Sequence, residues 1–358
     1  MTDVSTARVP ANPGKRARDP YLDNAKFALV TLVVVGHVII NIRGVGAGVV
    51  WLWIYAFHMP AFIMISGYLS RNYRGTPRQT MGLLTSILTP YVVVMVILAV
   101  ERRLDGSDFT LNFAQPAFAL WYLVALFVWR LLTPLLRVMP YSVPAAVVVS
   151  LASLTFGGVG SDMSAARIVG FLPFFALGLW TTPQRLDALR RVTQPWLVRI
   201  GAAVVLLGLL YVMYLVRSHV NPGYLTMKDS TRSYHHSDLE NMGIRLLVLV
   251  TATVMTVAFL ALVPRRRSFL TILGENSMYI YLLQAIILAR LLGRIGNHDW
   301  TTATLIALVA CSIVMSALLG TPLVKRLTSW FIDPFTTFPW LRRLADRRVE
   351  RVEQRLGT

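Results

Sequence analysis

Long apolar runs separated by short polar and basic stretches repeat along the whole chain. Ten can be marked, at about 25–42, 51–70, 82–100, 116–136, 142–158, 166–181, 200–217, 243–263, 273–293 and 302–324. Runs of about 18–24 residues are long enough to cross a hydrocarbon core of ~30 Å as helix. Helix also satisfies every backbone N–H and C=O within its own segment, as lipid demands. Membrane β-strands would show short alternating segments instead. The pattern therefore predicts an all-α, polytopic integral membrane protein with about ten transmembrane helices. The runs at 142–158 and 166–181 are short and interrupted by Gly157, Gly158 and Pro173. No hydropathy repeat relates one half of the chain to the other, which weakens a reading as an inverted-repeat transporter.

Composition sharpens this picture. Of the 358 residues, 55% are hydrophobic and only 15% charged, and the mean hydropathy is +0.58, too little polar surface for a soluble protein of this size. The net charge of +18 has a topological explanation. With the N-terminus inside, 24 of the 35 Lys and Arg residues fall in inner segments and ten in outer ones, with Lys26 inside the first span. That bias places both termini in the cytoplasm, and no compact basic domain is left to bind nucleic acid. Residues 1–22 read as a cytoplasmic basic arm, 23–330 as the transmembrane domain, and 331–358 as an amphipathic basic tail resting on the anionic inner leaflet. Arginine outnumbers lysine 31 to 4, a bias of GC-rich genomes. Cys311 is the single cysteine and reads as a small core residue. No internal disulfide is expected, and no metal. The loop at about 218–242 carries His235 and His236 and reads either as a solvated connector or as an acceptor-binding lip.

Two histidines at membrane depth carry the chemistry. His37 lies in the first run and His58 in the second, and ionisable side chains there are costly and mark functional sites. Lys26 and His37 are eleven residues apart, a rise of ~16 Å and close to three turns. They share a polar stripe with Asp23 and Asn41. His37 falls near the outer end of its span and His58 near the outer end of the next, so both imidazoles should stand at similar depth. Pro60 follows His58 and removes one helical hydrogen bond. Ser66, before Gly67 and Tyr68, is read as structural or donor-contacting.

The stretches LDNAKFALVTLVVVGH, FHMPAFIMISGYLS, LWYLVALFVWR, FLPFFALG and GENSMYIYLLQ resemble, in this order, the acyltransferase-3 family of membrane O-acyltransferases, and within it the fucose 4-O-acetylase-like branch. The most specific parts are Lys26 with His37, and Phe57-His58-Met59-Pro60 with Ser66-Gly67-Tyr68. Lysine stands at 26 where much of the family has arginine, and Gln284 where histidine is common. The resemblance implies transfer of an acyl group, acetyl in the first place, from cytoplasmic acyl-CoA to a hydroxyl of a carbohydrate or lipid-linked glycan.

On that reading Lys26, Arg71, Arg74, Arg78 and Arg130 are candidate phosphate ligands for the donor. Neutral His37 is the general base, or forms an acyl-histidine. Asn41 or His58 orients it, and His58, Tyr55 or backbone N–H groups stabilise the oxyanion. Trp121 and Tyr122 are expected at the outer membrane boundary, where aromatic belts sit, as a sugar-stacking platform. Arg245, inside the outer end of its span, is expected to line the acceptor side. A polytopic transporter or flippase for a sugar-containing substrate is the rival reading, and a non-catalytic partner in polysaccharide export a third. A homo-oligomer is left open.

Overall fold

In the computed structural model the described residues are 18–40, 42, 44–106, 111–155, 164–228, 237–295 and 301–356, and they form helices and connecting turns with no strand among them. Four helices long and apolar enough to cross a membrane come first: α1 (Pro20–Ile39), α2 (Val45–Ser70), α3 (Pro77–Leu104) and α4 (Trp121–Val138). Next are the short α5 (Ser142–Ala152), α6 (Ala165–Trp180) and the polar α7 (Pro183–Val192). Then follow α8 (Trp196–Val216), the small α9 (Pro222–Thr226), α10 (Asp238–Leu262), α11 (Phe269–Glu275) and α12 (Ser277–Ile295). The remainder is α13 (Thr302–Leu319), α14 (Pro322–Ile332), α15 (Pro334–Thr337) and α16 (Pro339–Leu356).

Among the described residues seven helices are long and apolar enough to cross a membrane, and two bent pairs bring the number to nine. The departures from the ten simple runs have local causes. At eleven residues α5 is only ~16 Å long. Between α6 and α7 the chain turns by 91°. The run at 273–293 is broken by 69° between α11 and α12, because Asn276 closes α11 and its Nδ2 donates to the carbonyl of Gly320 at 2.8 Å, at the end of α13. In α3 the helix widens into a π turn over Leu84–Leu88, ahead of Pro90 with its missing N–H.

Helices α1 and α2 form the centre. Their apolar windows are 78% and 72% buried, against 17% for α8 and 11% for α13, whose Val204, Leu207, Ile313 and Leu318 face outward as lipid-facing residues should. Cys311 lies on α13 and is exposed, which corrects its reading as a core residue: an apolar run in a membrane protein is as readily peripheral as central. Lipid tails give no hydrophobic drive for helix association, so close packing must supply it. Gly67 of α2 and Gly178 of α6 supply it here: a β-carbon on Gly67 would come 3.1 Å from Gly178 Cα, and one on Gly178 2.8 Å from Tyr68 N.

One end of the bundle is knit by polar side chains. Asp19 caps α1 and pairs with Arg190 of α7. Buried Asn24 donates to the carbonyls of Pro264 (2.9 Å) and Arg266 (3.1 Å), and accepts from Thr271 (2.8 Å). The beginning of α1 and the ends of α10 and α13 therefore meet here, with Arg18, Arg265, Arg266 and Arg267, and we call this the basic end. The tail is more than a surface strip: Val349 of α16 is buried, and a cavity of about 360 Å³ between α16 and the start of α3 is lined by Arg78, Phe335, Arg342 and Asp346 among others. The arm at 1–17, Asn41, His235 and His236 lie outside the described residues.

Candidate active site

Packing of α1 on α2 assembles the histidines. Gly36 leaves room for the ring of Tyr55, whose Cε2 would stand 2.9 Å from a β-carbon there. The same ring stacks on Trp51 at 3.9 Å between centroids and meets His58 edge-on at 4.8 Å. His37, next to Gly36, is half-buried in the last turn of α1. It lies close enough to His58 and to Arg167 for their charges to act on it. His58 is buried, and its Nδ1 is 2.7 Å from the carbonyl of Ile54. A carbonyl only accepts, so Nδ1 carries the proton and Nε2 of the neutral ring is left as an acceptor.

A polar ladder runs from this centre along α2. The Tyr122 hydroxyl lies 2.5 Å from Ser66 Oγ, which also donates to the carbonyl of Phe62 at 2.9 Å. One turn on, Ser70 Oγ donates to the carbonyl of Ser66 at 2.7 Å and receives Arg130 Nε at 3.2 Å. Trp121 and Tyr122 are thus buried in the protein. The chain turns inward before α4. Residues 111–115 are exposed, Ala117 donates to Met95 Sδ at 3.3 Å, and Tyr281 donates to the carbonyl of Ala119.

The five cations read as one phosphate-binding set are divided. Lys26 pairs with Asp23 at 2.7 Å, one turn away. Arg71 folds back on Tyr68, donating to its carbonyl at 2.7 Å with the guanidinium 3.9 Å above the ring. It also lines a cavity of about 870 Å³ at the basic end, together with Asn72, Arg137, Tyr141, Trp180 and Thr182. Arg74 is exposed, Arg78 lines the separate cavity under α16, and Arg130 serves the ladder.

Towards the opposite end, Arg245 is 2% exposed beside Met227, 3.5 Å from its Sδ, and against Gly170. Sequence reasoning passed over Arg167 as one more loop charge. Its guanidinium lies 4.9 Å over the Trp121 ring, and its charge reaches His37, Tyr55 and Tyr281. The available signal was an arginine opening an apolar run, the position of a charge held at membrane depth. Gln284, wholly buried, donates to the carbonyl of Tyr281 at 3.1 Å.

The acyltransferase-3 family, described as an acyltransferase domain, matches residues 19–322, which include every residue named in this site. A curated relative, nodulation protein NolL of Mesorhizobium japonicum, is 45% identical over 62 residues, 16% of this chain and 17% of the relative. The matched stretch thus spans well under a fifth of that relative's length. No solved structure matches the chain.

Proposed function

Because the chain belongs to the acyltransferase-3 family, we propose that it is a membrane O-acyltransferase moving an acyl group, acetyl in the first place, from acyl-CoA to a hydroxyl of a carbohydrate or lipid-linked glycan. The positive-inside rule supports a cytoplasmic basic end, and the membrane proposed is the inner membrane of a bacterium. The observation that carries the reading is the His37–Tyr55–His58 cluster, set between a large basic cavity at one end and a polar one at the other.

The donor enters at the basic end. Arg71 and Arg137 offer guanidinium forks to its phosphates. The exposed rings of Tyr141 and Trp180 offer faces to its adenine. The thioester arm follows the ladder Arg130–Ser70–Ser66–Tyr122 to the histidines. Neutral His37 takes the proton of the acceptor hydroxyl as that oxygen attacks the thioester carbon. The tetrahedral oxyanion collapses with cleavage of the C–S bond, and the thiolate leaves with the proton from His37. The Nδ1 proton of His58 is committed to Ile54, so the neutral ring accepts a hydrogen bond, from His37 or from the acceptor hydroxyl. The oxyanion then falls to the Tyr55 hydroxyl and Arg167.

The test is purified protein in nanodiscs with radiolabelled acetyl-CoA and a glycan extract. An acyltransferase releases CoA and labels the glycan, and His37→Ala does neither while keeping the wild-type elution volume. Sugar flux across liposomes without CoA release would mark a transporter and overturn the proposal.

A further inference from the structure

Towards the end away from the basic cluster, a cavity of about 570 Å³ lies between α8 and α10. Leu209, Val212, Met213 and Val216 form one wall, from the last two turns of α8. Ile244, Leu247, Val248 and Thr251 of α10 form the other. Ile244 and Thr251 are seven residues apart, so the walls are ~10 Å high. One turn below, Trp53 Nε1 donates to the carbonyl of Leu206 at 2.8 Å and clamps α8 to α2. Ala56 of α2 completes the lining at the back. It stands between Tyr55 and His58 in the chain, so the cavity and the histidine cluster share one turn of α2.

The two sides of this lining differ. Ala56 and Met213 are buried, whereas Val212 and Leu247 are 42% and 65% exposed. The cavity therefore opens sideways, on the apolar surface of two membrane-length helices. Its exposed polar members, His219 and Asn221, follow the last turn of α8. Asn221 Oδ1 accepts from Gly223 N at 2.9 Å, which leaves its amide N–H groups to donate. Protein interiors are close-packed, and apolar cavities stay dry, so what fills this one at membrane depth is hydrocarbon. An apolar slot beneath a polar rim has the form of a lipid chain beneath its head group. A chain held there keeps its head group beside the histidines, at a high effective concentration.

We propose that the slot between α8 and α10 binds one hydrocarbon chain of a glycolipid in the leaflet away from the basic end, and that this anchored glycolipid is the acceptor. The role as acceptor rests on the acyltransferase reading; the chain-binding slot does not.

Photolabelling of the full chain in phosphatidylcholine nanodiscs tests the slot. The probe is dodecyl glucoside with a diazirine on its chain, and labelled peptides are mapped by mass spectrometry. Labelling of the two walls should saturate, and unlabelled dodecyl glucoside should displace it, although bulk lipid is in excess. Val212→Trp and Leu247→Trp, both at the opening, should each lower the labelling about tenfold. Val204→Trp, outward-facing on α8 but outside the lining, should leave it unchanged. Labelling that rises linearly with probe, or that both opening variants spare, means bulk lipid only and overturns the slot. The acceptor role is read on the same samples with radiolabelled acetyl-CoA, given either the butanol-soluble lipids or the aqueous glycans of the source cells. Label should enter a butanol-soluble product, and Val212→Trp should slow this about tenfold where Val204→Trp does not. Label confined to aqueous glycan overturns the lipid anchor. No CoA release with either fraction, with saturable labelling intact, would remove the acyltransferase reading and leave the slot standing.

Discussion

The hydroxyls of Ser66 and Tyr122 lie 2.5 Å apart, with both side chains buried. Ser66 donates to the carbonyl of Phe62, so the shared bond is given by Tyr122. Ser66→Ala strands the phenol, and a buried hydroxyl without a partner costs about 1–3 kcal/mol. Tyr122→Phe removes only a donor. The double variant should cost less than the sum of the two, and thermal unfolding of all four proteins in one detergent measures the coupling. Additive losses would mean that the bond does not form.

The histidines were legible in the sequence because lipid makes charge expensive. His37 and His58 stand out against Val, Ile and Phe, and nothing but position along the chain is needed to notice them. The partition of the cations was not legible. Lys26, Arg71, Arg78 and Arg130 all lie in or beside apolar runs toward the same end, and only the fold sends them to an ion pair, two cavities and a ladder. The burial of Trp121 and Tyr122 was not legible for a related reason. A hydropathy average treats 116–136 as one span, whereas Met95 and Tyr281 hold Ala117 and Ala119 inside the protein before the helix begins. The break at Asn276 depends on the Gly320 carbonyl, 44 residues away, and no local pattern could report it.

The contact of Gly67 with Gly178 gives a second test. A β-carbon at 178 would stand 2.8 Å from the Tyr68 backbone nitrogen, and backbone cannot swing aside as a side chain can. Gly178→Ala should therefore push α6 from α2 and cost about 1–3 kcal/mol, as overpacking does. Gly201→Ala on α8, where nothing lies within 4 Å, should be neutral within about 0.5 kcal/mol. Equal melting temperatures for the two variants would contradict the close approach.

Donor binding should depend on the cavity that Arg71 and Arg137 share. A hydrogen bond from a charged group is worth about 1.5–3 kcal/mol. Arg137→Gln should then raise KM for acetyl-CoA by about tenfold or more with little change in kcat, since phosphate contacts far from the thioester act equally on ground and transition states. Arg342→Gln, in the separate cavity under α16, should leave KM unchanged. An effect on kcat alone at Arg137 would move the donor elsewhere.

The two histidines should fail differently. On the proposed mechanism His37→Ala removes the base, and general-base catalysis supplies about 10²–10⁴ in rate. At His58 one nitrogen is structural and the other faces the site. His58→Asn places an amide N–H where Nδ1 stood, so the bond to Ile54 is kept while the acceptor at Nε2 is lost. If His58 only holds α2 together, this variant should retain both stability and activity. If it orients His37 or the hydroxyl, kcat should fall by on the order of 100-fold, the size of effect that misplacing a reacting group by about an ångström produces, at an unchanged melting temperature and an unchanged KM for acetyl-CoA. The kinetics of His58→Asn beside those of His37→Ala separate the roles, and an unimpaired His58→Asn enzyme would leave His37 as the site's sole catalytic imidazole.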